Sequence, residues 1–385
     1  MIVAHLISGL ELGGAETALF NLVRSLHPRV RQEVVSMTTE GVLGERIRRL
    51  GVPLRALRLG RGLQPLGALP AMVRGLREAD ADLVQTWMYH ADLFGGLAGR
   101  LAGVPVVWGI HHTTLERGSA RATTRLIARL NGLLSPVVPR RIVVCAEAAQ
   151  RVHARMGYDA RRMTVIPNGF DVDQFRPDPS ARQAARAGLG IASQAPLIGM
   201  VARFHPQKDH HTFLQAAGRL HQQLPEARFL LCGSGIEWSN AQLASWIDEQ
   251  GLREMVRLLG PRPDLAKMYP ALDVFCLSSS HGEGLPMVLG EAMACEVPCV
   301  TTDVGDSAVI VGEAGIVVPP RSPEPLAAAL LRVARMDPEA RLRLGRAARQ
   351  RIVTEFRVEI MAERYLRVYE EVAGVSQPGA EPGPG

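Results

Sequence analysis

The sequence predicts an α/β protein built from two doubly wound parallel-sheet domains, and three observations carry that expectation. Short apolar runs alternate with helical patterns along nearly the whole chain. The alternation breaks once near the middle, in a stretch rich in proline and glycine. The length of 385 residues exceeds what one ordinary core fills, which favours two domains of about 150–200 residues each.

Each element follows from local pattern. "IVAHLIS" is an apolar strand, and after the turn "GLELGGAE" the residues Ala18, Leu19, Leu22, Val23 and Leu26 recur at helical spacing. "RQEVVSMTT" is a strand, 44–50 a helix, and "ADLVQTW" a strand followed by the helix "ADLFGGLAGRLAG", closed by Gly103. "PVVWGIH" and "RIVVCAE" complete the first series. From Pro167 to Pro196 the chain turns to proline, glycine and polar residues, the mark of a linker. The rhythm restarts with "PLIGMVAR", helix 212–224, "ARFLLCGSG", helix 242–250, "VRLLG", "DVFCLSS", "PCVTT" and "GIVVPP". The boundaries expected are therefore 1–170, a linker over 171–195, and 196–356. A helical stretch from about 323 to 372 has breaks at Asp337–Pro338 and Thr354–Phe356. Residues 374–385, ending in "SQPGAEPGPG", have the composition of a disordered tail.

Composition narrows the class. Hydrophobic residues make up 47% and charged residues 21%, as in ordinary globular proteins. No apolar run reaches the roughly 18–20 residues that cross a bilayer, and "MIVAHLISGL" reads as a first strand rather than a signal peptide. Cys145, Cys232, Cys276, Cys295 and Cys299 are scattered through apolar runs, so they read as core cysteines in a reducing cytoplasm. The net charge of +6 is uneven: 22 of the 44 Lys+Arg face only 12 of the 38 Asp+Glu within residues 1–170. A basic first half suggests an anionic partner for it. Aromatics are only 5% and do not interleave with the basic residues, which argues against nucleic acid.

In open parallel sheets ligands bind beyond the carboxyl ends of the strands, and two facing domains would pool those loops in one cleft. The candidate chemistry lies just after strands. Gly13 and Gly14 open the first helix, where glycine admits close backbone approach and helix amides attract an anion. His111 and His112 end a first-half strand, where an imidazole can accept or relay a hydrogen bond. Arg203 and Lys208 follow the first strand of the second half; a guanidinium fork and a mobile ammonium can converge on one diphosphate. In "HGEGLPMVLGEAMACEVP", Glu283 lies in a loop, Pro286 near the first position of a helix, and Glu291 about five residues into it. The amides of Gly284, Leu285 and Met287 lie between the two carboxylates. Acceptors at both ends and donors between them suit a ligand with hydroxyls at its ends and phosphate in its centre, which describes a sugar nucleotide. Asp80–Asp82 precedes a strand and Asp171–Asp173 falls in the linker, so neither D-x-D pair is expected to hold a metal.

Several of these pieces resemble a known family. "VARFHPQKD", "CGSG", "SSSHGEGLPMVLGEAMACEVPCVTTDVG" and "GIVVPP" are similar to the C-terminal half of retaining glycosyltransferases of family GT4, which have the GT-B fold. "ELGGAE" and "VIPNGFDVDQF" match the same family earlier in the chain, so the resemblance spans about residues 9–320 in order. It implies a GT-B architecture, with a nucleotide-sugar donor (UDP- or GDP-linked) on the second domain and a glycan or lipid-linked acceptor on the first. Arg203 and Lys208 would hold the diphosphate, Glu291 the ribose, and Glu283 with Gly284 and Leu285 the donor sugar. Gly14 would approach the phosphate. The family's first-domain histidine falls on His111 or His112, with His111 preferred. The resemblance also implies retention of anomeric configuration, no metal or other cofactor, and a last helix over 357–373 that crosses back to the first domain.

The acceptor side is marked only by residues 119–134, where Arg121, Arg125 and Arg129 recur every four residues beside Leu126, Ile127, Leu130, Leu133 and Leu134. This reads either as a surface for anionic lipid, placing a cytoplasmic enzyme of polysaccharide biosynthesis on the inner face of the membrane, or as a solvated arginine face. A sugar-nucleotide epimerase, a phosphorylase and a non-catalytic sugar-nucleotide-binding protein on the same fold are the competing readings.

Overall fold

The computed structural model describes residues 1–11, 13–59, 65–113 and 122–374. Two compact units emerge, one of residues 1–169 with the C-terminal segment from Val358, the other Phe170–Arg357. Each is a parallel sheet with helices on both faces.

The first unit contains β1 (Ile2–Ile7), β2 (Arg31–Ser36), β3 (Leu54–Ala56), β4 (Leu83–Trp87), β5 (Val106–Ile110), β6 (Arg141–Val144) and β7 (Met163–Val165), in the spatial order β3-β2-β1-β4-β5-β6-β7. Alternate side chains enter two different cores, as a strand covered on both faces requires. Val3 and Ile7 pack under the helices Gly14–Leu26 and Val358–Ala373, whereas Ala4 and Leu6 pack under Met88–Ala102. Helix Met88–Ala102 stops at Gly103, which takes the left-handed conformation (φ 81°) and bonds back to Arg100 and Gly99.

The second unit contains β8 (Leu197–Val201), β9 (Arg228–Cys232), β10 (Val256–Leu258), β11 (Val274–Leu277), β12 (Cys299–Thr302) and β13 (Gly315–Val318), in the order β10-β9-β8-β11-β12-β13. Leu197 and Val201 face one core, Ile198 and Met200 the other. The two expected breaks in the last helical stretch appear between helices Pro323–Ala334, Pro338–Glu355 and Val358–Ala373.

One expectation fails for a physical reason. Residues 171–195 are not a bare linker but fold within the second unit, through the helix Pro179–Gly188. Asp178 caps the Ala181 amide at 2.9 Å and Pro179 occupies the first turn, so the proline-rich composition was a helix start. From this helix Arg186 reaches Asp273 at 3.1 Å and Arg182 reaches it at 2.7 Å, while Asp273 also accepts from the amide of Leu197 at 2.8 Å. Arg186 and Asp273 are both buried. That charge network pins the segment to the start of β8.

The expected tail lies outside the described residues but for Gly374, as do Ser119, Ala120 and Arg121 of the basic stretch and Leu12 of the first glycine turn. Among the described residues, no helix is long and apolar enough to cross a membrane.

Candidate functional site

In both sheets the strand order reverses direction at the first strand. β8 lies between β9 and β11, so the loops after β8 and β11 flank a topological switch point, the place where open parallel sheets take ligands. β1 lies likewise between β2 and β4.

The loop after β8 is tied down by its neighbour. The amide of Ala202 bonds to Cys232 O at 2.9 Å and that of Phe204 to Ser234 O at 2.8 Å. Gly233 makes this close approach feasible: it has φ 146°, and a Cβ on it would lie 2.2 Å from Ala202 O. The loop then carries Arg203, which is exposed, through the single turn Pro206–Lys208 to Asp209, which caps the helix His210–Gln223.

The loop after β11 is zipped to it. Ser278 Oγ donates to Lys208 O at 2.9 Å, the Ser280 amide to Gln207 O at 2.8 Å, and Gln207 Nε2 to Gly282 O at 2.9 Å. Across this seam Lys208 Nζ meets Glu283 Oε1 at 2.5 Å, with both side chains largely buried. The Ser279 hydroxyl donates to the same oxygen. Beneath, Gly305 (φ 63°) lies so close that a Cβ would be 2.2 Å from Glu283 O, and the Asp306 amide donates to Gly284 O at 2.9 Å. Glu283 is thus held on one oxygen by two donors and on its backbone by a glycine platform.

Pro286 caps the helix Met287–Ala294, and Glu291 is its fifth residue. The amides of Gly284, Leu285 and Met287 precede or open that helix, where backbone donors have no intrahelical acceptor. Gly290 is pressed by Phe170, whose Cζ lies 2.3 Å from where a Cβ would be, so the helix cannot slide along that ring. Tyr269 donates its hydroxyl to Glu291 Oε2 at 2.8 Å. Burial pushes the Glu291 carboxyl up to about 7, although the Tyr269 hydrogen bond acts the other way. Neither Tyr269 nor Ser279 was legible as a site residue. Both belong to short apolar or serine-rich stretches with no spacing signal, and only the fold brings them to the glutamates.

In the first unit, Gly13 caps the helix Gly14–Leu26. The space a Gly13 side chain would need is filled by the Glu16 carboxylate, 2.3 Å from that Cβ position, whereas a Cβ on Gly14 would meet nothing within 4 Å among the described residues. The two glycines therefore differ: Gly13 accommodates Glu16, and Gly14 leaves room. Burial raises the Glu16 carboxyl above its ordinary value.

His111 follows β5. Its ring stacks on Trp87 at 4.9 Å and 22°, and its Nδ1 lies 3.1 Å from Asn168 Oδ1. An amide oxygen only accepts, so Nδ1 carries the proton and Nε2 the lone pair. Nε2 is buried and has no hydrogen-bond partner among the described residues. Burial lowers the imidazole to about 4, so it stays neutral near neutrality. His112 is half-buried and lies near enough to His153 to help lower its pKa. Asn168, from the "PNG" turn, is a partner the sequence did not suggest.

The acidic pairs have other work. Asp82 Oδ2 accepts from the Ile2 amide at 2.7 Å, and Asp171 Oδ1 from the amides of Asp173 and Gln174 at 3.1 and 2.9 Å. The five cysteines are all buried.

Known proteins match both units. The family described as Glycosyltransferase Family 4 matches residues 12–174, and that described as Glycosyl transferases group 1 matches 181–351. The glycosyltransferase-named EpsF of Bacillus subtilis is 31% identical over 315 residues, covering 78% of this chain and 79% of EpsF. A UDP-Gal:alpha-D-GlcNAc-diphosphoundecaprenol alpha-1,3-galactosyltransferase of Escherichia coli is 26% identical over 252 residues, 65% of each chain. A D-inositol 3-phosphate glycosyltransferase of Kineococcus radiotolerans is 30% identical over 350 residues, 82% of this chain and 79% of its own. Among solved structures, Anabaena HepE in complex with UDP superposes with a TM-score of 0.84 over 96% of this chain and all of its own, at 22% identity. A Rickettsia africae glycosyltransferase gives 0.83 at 15% identity, covering 97% of this chain and 99% of that one. With its two switch-point sheets and matches running through both units, the chain belongs to the family 4 glycosyltransferases and has the GT-B fold.

Proposed function

We propose that this glycosyltransferase moves a sugar, with retention of configuration and without a metal, from a UDP- or GDP-sugar to a glycan or lipid-linked acceptor. The observation that carries the reading is the seam between the loops after β8 and β11, where Lys208 meets Glu283. It gathers a cation, a carboxylate and free helix amides at one switch point, with Glu291 one turn further along the helix. UDP and UDP-glucose are bound by HepE, and the E. coli relative is named for a UDP-galactose donor and a diphosphoundecaprenol-linked acceptor.

In this reading Glu291 accepts from the ribose hydroxyls and the amides of Gly284, Leu285 and Met287 meet phosphate. Glu283 Oε2, left over from Lys208 and Ser279, accepts from a hydroxyl of the donor sugar. The acceptor hydroxyl attacks the anomeric carbon as its bond to the diphosphate oxygen breaks. The electron pair goes to the diphosphate, whose negative charge Arg203 and Lys208 stabilise. The leaving phosphate takes the acceptor's proton on the same face, so configuration is kept with no glycosyl-enzyme intermediate. In the first unit, neutral His111 keeps an acceptor lone pair for a substrate hydroxyl, and Gly14 leaves room at the start of its helix.

Peripheral contact with anionic membrane at the cytoplasmic face completes the proposal. On and just beyond helix Ala122–Leu134, Leu126, Leu130, Leu133 and Val137 are 56%, 37%, 78% and 59% exposed, next to exposed Arg129. An exposed leucine row beside arginine suits a lipid headgroup boundary better than bulk water.

The test is a panel of UDP-, GDP- and ADP-sugars. The right donor should add about 2–4 kcal/mol of apparent stability when present well above its Kd. Transfer from that donor should persist in EDTA and give product with the donor's anomeric configuration by NMR. Undiminished transfer by both Arg203→Ala and Glu283→Ala would show the assignment to be wrong.

A further inference from the structure

Tyr269 is buried at 1% exposure, wedged edge-on between Phe175 and Phe275 at 6.0 and 5.8 Å between ring centroids. Such a ring is a large apolar anchor, and phenylalanine would fill the same space. What phenylalanine lacks is the hydroxyl, and that hydroxyl donates to Glu291 Oε2 at 2.8 Å. The two groups come from different elements. Tyr269 opens a single turn just before β11, and Glu291 is inside the helix after it. Among the described residues no cation pairs with Glu291, and burial is the main influence on its carboxyl. Its ionised form therefore depends on hydrogen-bond donors.

We propose that Tyr269 is a positioning residue for the donor nucleotide, holding Glu291 by Oε2 so that Oε1 is presented, ionised and correctly turned, to the ribose hydroxyls. The inference rests on the assignment of Glu291 to the ribose and extends it to a residue outside every motif in the chain. Two effects combine in it. The hydrogen bond fixes the carboxylate rotamer, and it favours the charged form that a pair of hydroxyl donors needs. Cys295 lies by this carboxyl and Cys232 by the Tyr269 hydroxyl; burial raises both thiols, so neither competes as a proton source near neutrality. Arg349 acts on Cys295 from helix Pro338–Glu355.

The test measures binding of UDP-glucose, GDP-mannose and ADP-glucose to the full chain by calorimetry, across about pH 5.5–9. Removing the Tyr269 hydroxyl should raise the Glu291 midpoint by about one unit or more, as loss of a hydrogen bond to a charged group does. Tyr269→Phe should then bind the recognised nucleotide sugar more weakly by about fivefold or more near pH 7, yet within about twofold of the wild type near pH 9. A ring that only packs would shift neither the midpoint nor the pH dependence. Glu291→Gln should bind weakly at every pH, and adding Tyr269→Phe to it should change nothing further, because the tyrosine acts through the glutamate. If Tyr269→Phe matches the wild type across the range while Glu291→Gln binds weakly, the inference about Tyr269 is wrong and the site assignment stands. If Glu291→Gln binds like the wild type, or no probe binds at all, the assignment beneath it falls as well.

Discussion

Glu291→Gln should make the ligand-free protein more stable, and only above a definite pH. The side chain is largely enclosed, and burial pushes its carboxyl up to about 7 from an ordinary 4.5. Below the lower value both folded and unfolded chains are protonated and the group contributes nothing. Between the two the unfolded chain ionises while the folded one keeps its proton, so stability falls as pH rises. Above the upper value the loss is complete and constant. A difference of about 2.5 units at 1.36 kcal/mol each is about 3 kcal/mol; the residual exposure of the group reduces the working figure to about 2 kcal/mol. Glutamine has the same shape, keeps an acceptor for the Tyr269 hydroxyl and has no charge to desolvate. Urea unfolding followed by circular dichroism should therefore show the variant about 2 kcal/mol more stable near pH 8 and equal to the wild type near pH 4.5. A variant no more stable at the higher pH, or a gain independent of pH, would refute the claim that Glu291 is kept at a cost to folding. That cost is intelligible if the carboxylate is held ready for ligand hydroxyls, since sites that bind charge or hydrogen-bond donors are often destabilised until filled.

Three further outcomes follow. Lys208→Met and Glu283→Gln should each destabilise by about 3 kcal/mol, because each leaves a buried charge unpaired; the double variant should lose less than the sum, read from a denaturation cycle. Gly305→Ala, at φ 63° and 2.2 Å from Glu283 O, should displace the Glu283–Gly284 peptide and lower turnover about tenfold or more while the chain stays folded by circular dichroism. Asn168→Asp puts a carboxylate on His111 Nδ1 and should raise the imidazole from about 4 by about 1–3 units. With donor saturating, turnover should then fall as pH drops below about 6, a limb that the wild type and Asn168→Gln lack.

Most of the fold was legible because most long elements announce themselves; the helix Pro65–Glu78, with Pro70 inside it, did not. Strands such as "LIGMV" and "VVWGI" are apolar on both faces, as buried parallel strands are, and the helices between them have clear periodicity. What escaped notice was short or disguised. β3 and β7 have three residues each, too few for any period to show, and lie at the two edges of the first sheet. The helix Pro179–Gly188 hid in proline-rich composition, because Asp178–Pro179 is as good a helix start as it is a turn. The arginines that fix it, Arg182 and Arg186, pair with Asp273 about ninety residues away, which no local pattern can express.

The candidate site divides along the same line, and the division has a physical cause. A motif records what must lie at fixed separation along the chain: Glu283 and Glu291 are eight residues apart because a loop and one helical turn and a half separate the ends of the presumed ligand. It does not record what turns each side chain toward that ligand. Glu283 is turned by Lys208, 75 residues away; Glu291 by Tyr269, 22 away; His111 by Asn168, 57 away. In all three a donor or acceptor from another element takes one atom of the group and leaves its second oxygen or nitrogen unassigned. The strand order explains how such distant residues meet. Placing β8 beside β11 sets the Lys208 loop against the Glu283 loop, and β5, β6 and β7 in sequence bring the turn after β7 to the same edge as His111. Chain reversal at the switch point therefore does two things at once: it opens a gap for a ligand and it supplies the neighbours that aim the groups around it. A substitution in one of those neighbours should change the pH dependence or turnover of the site without touching the substrate, and that is the property by which positioning residues can be told from packing ones.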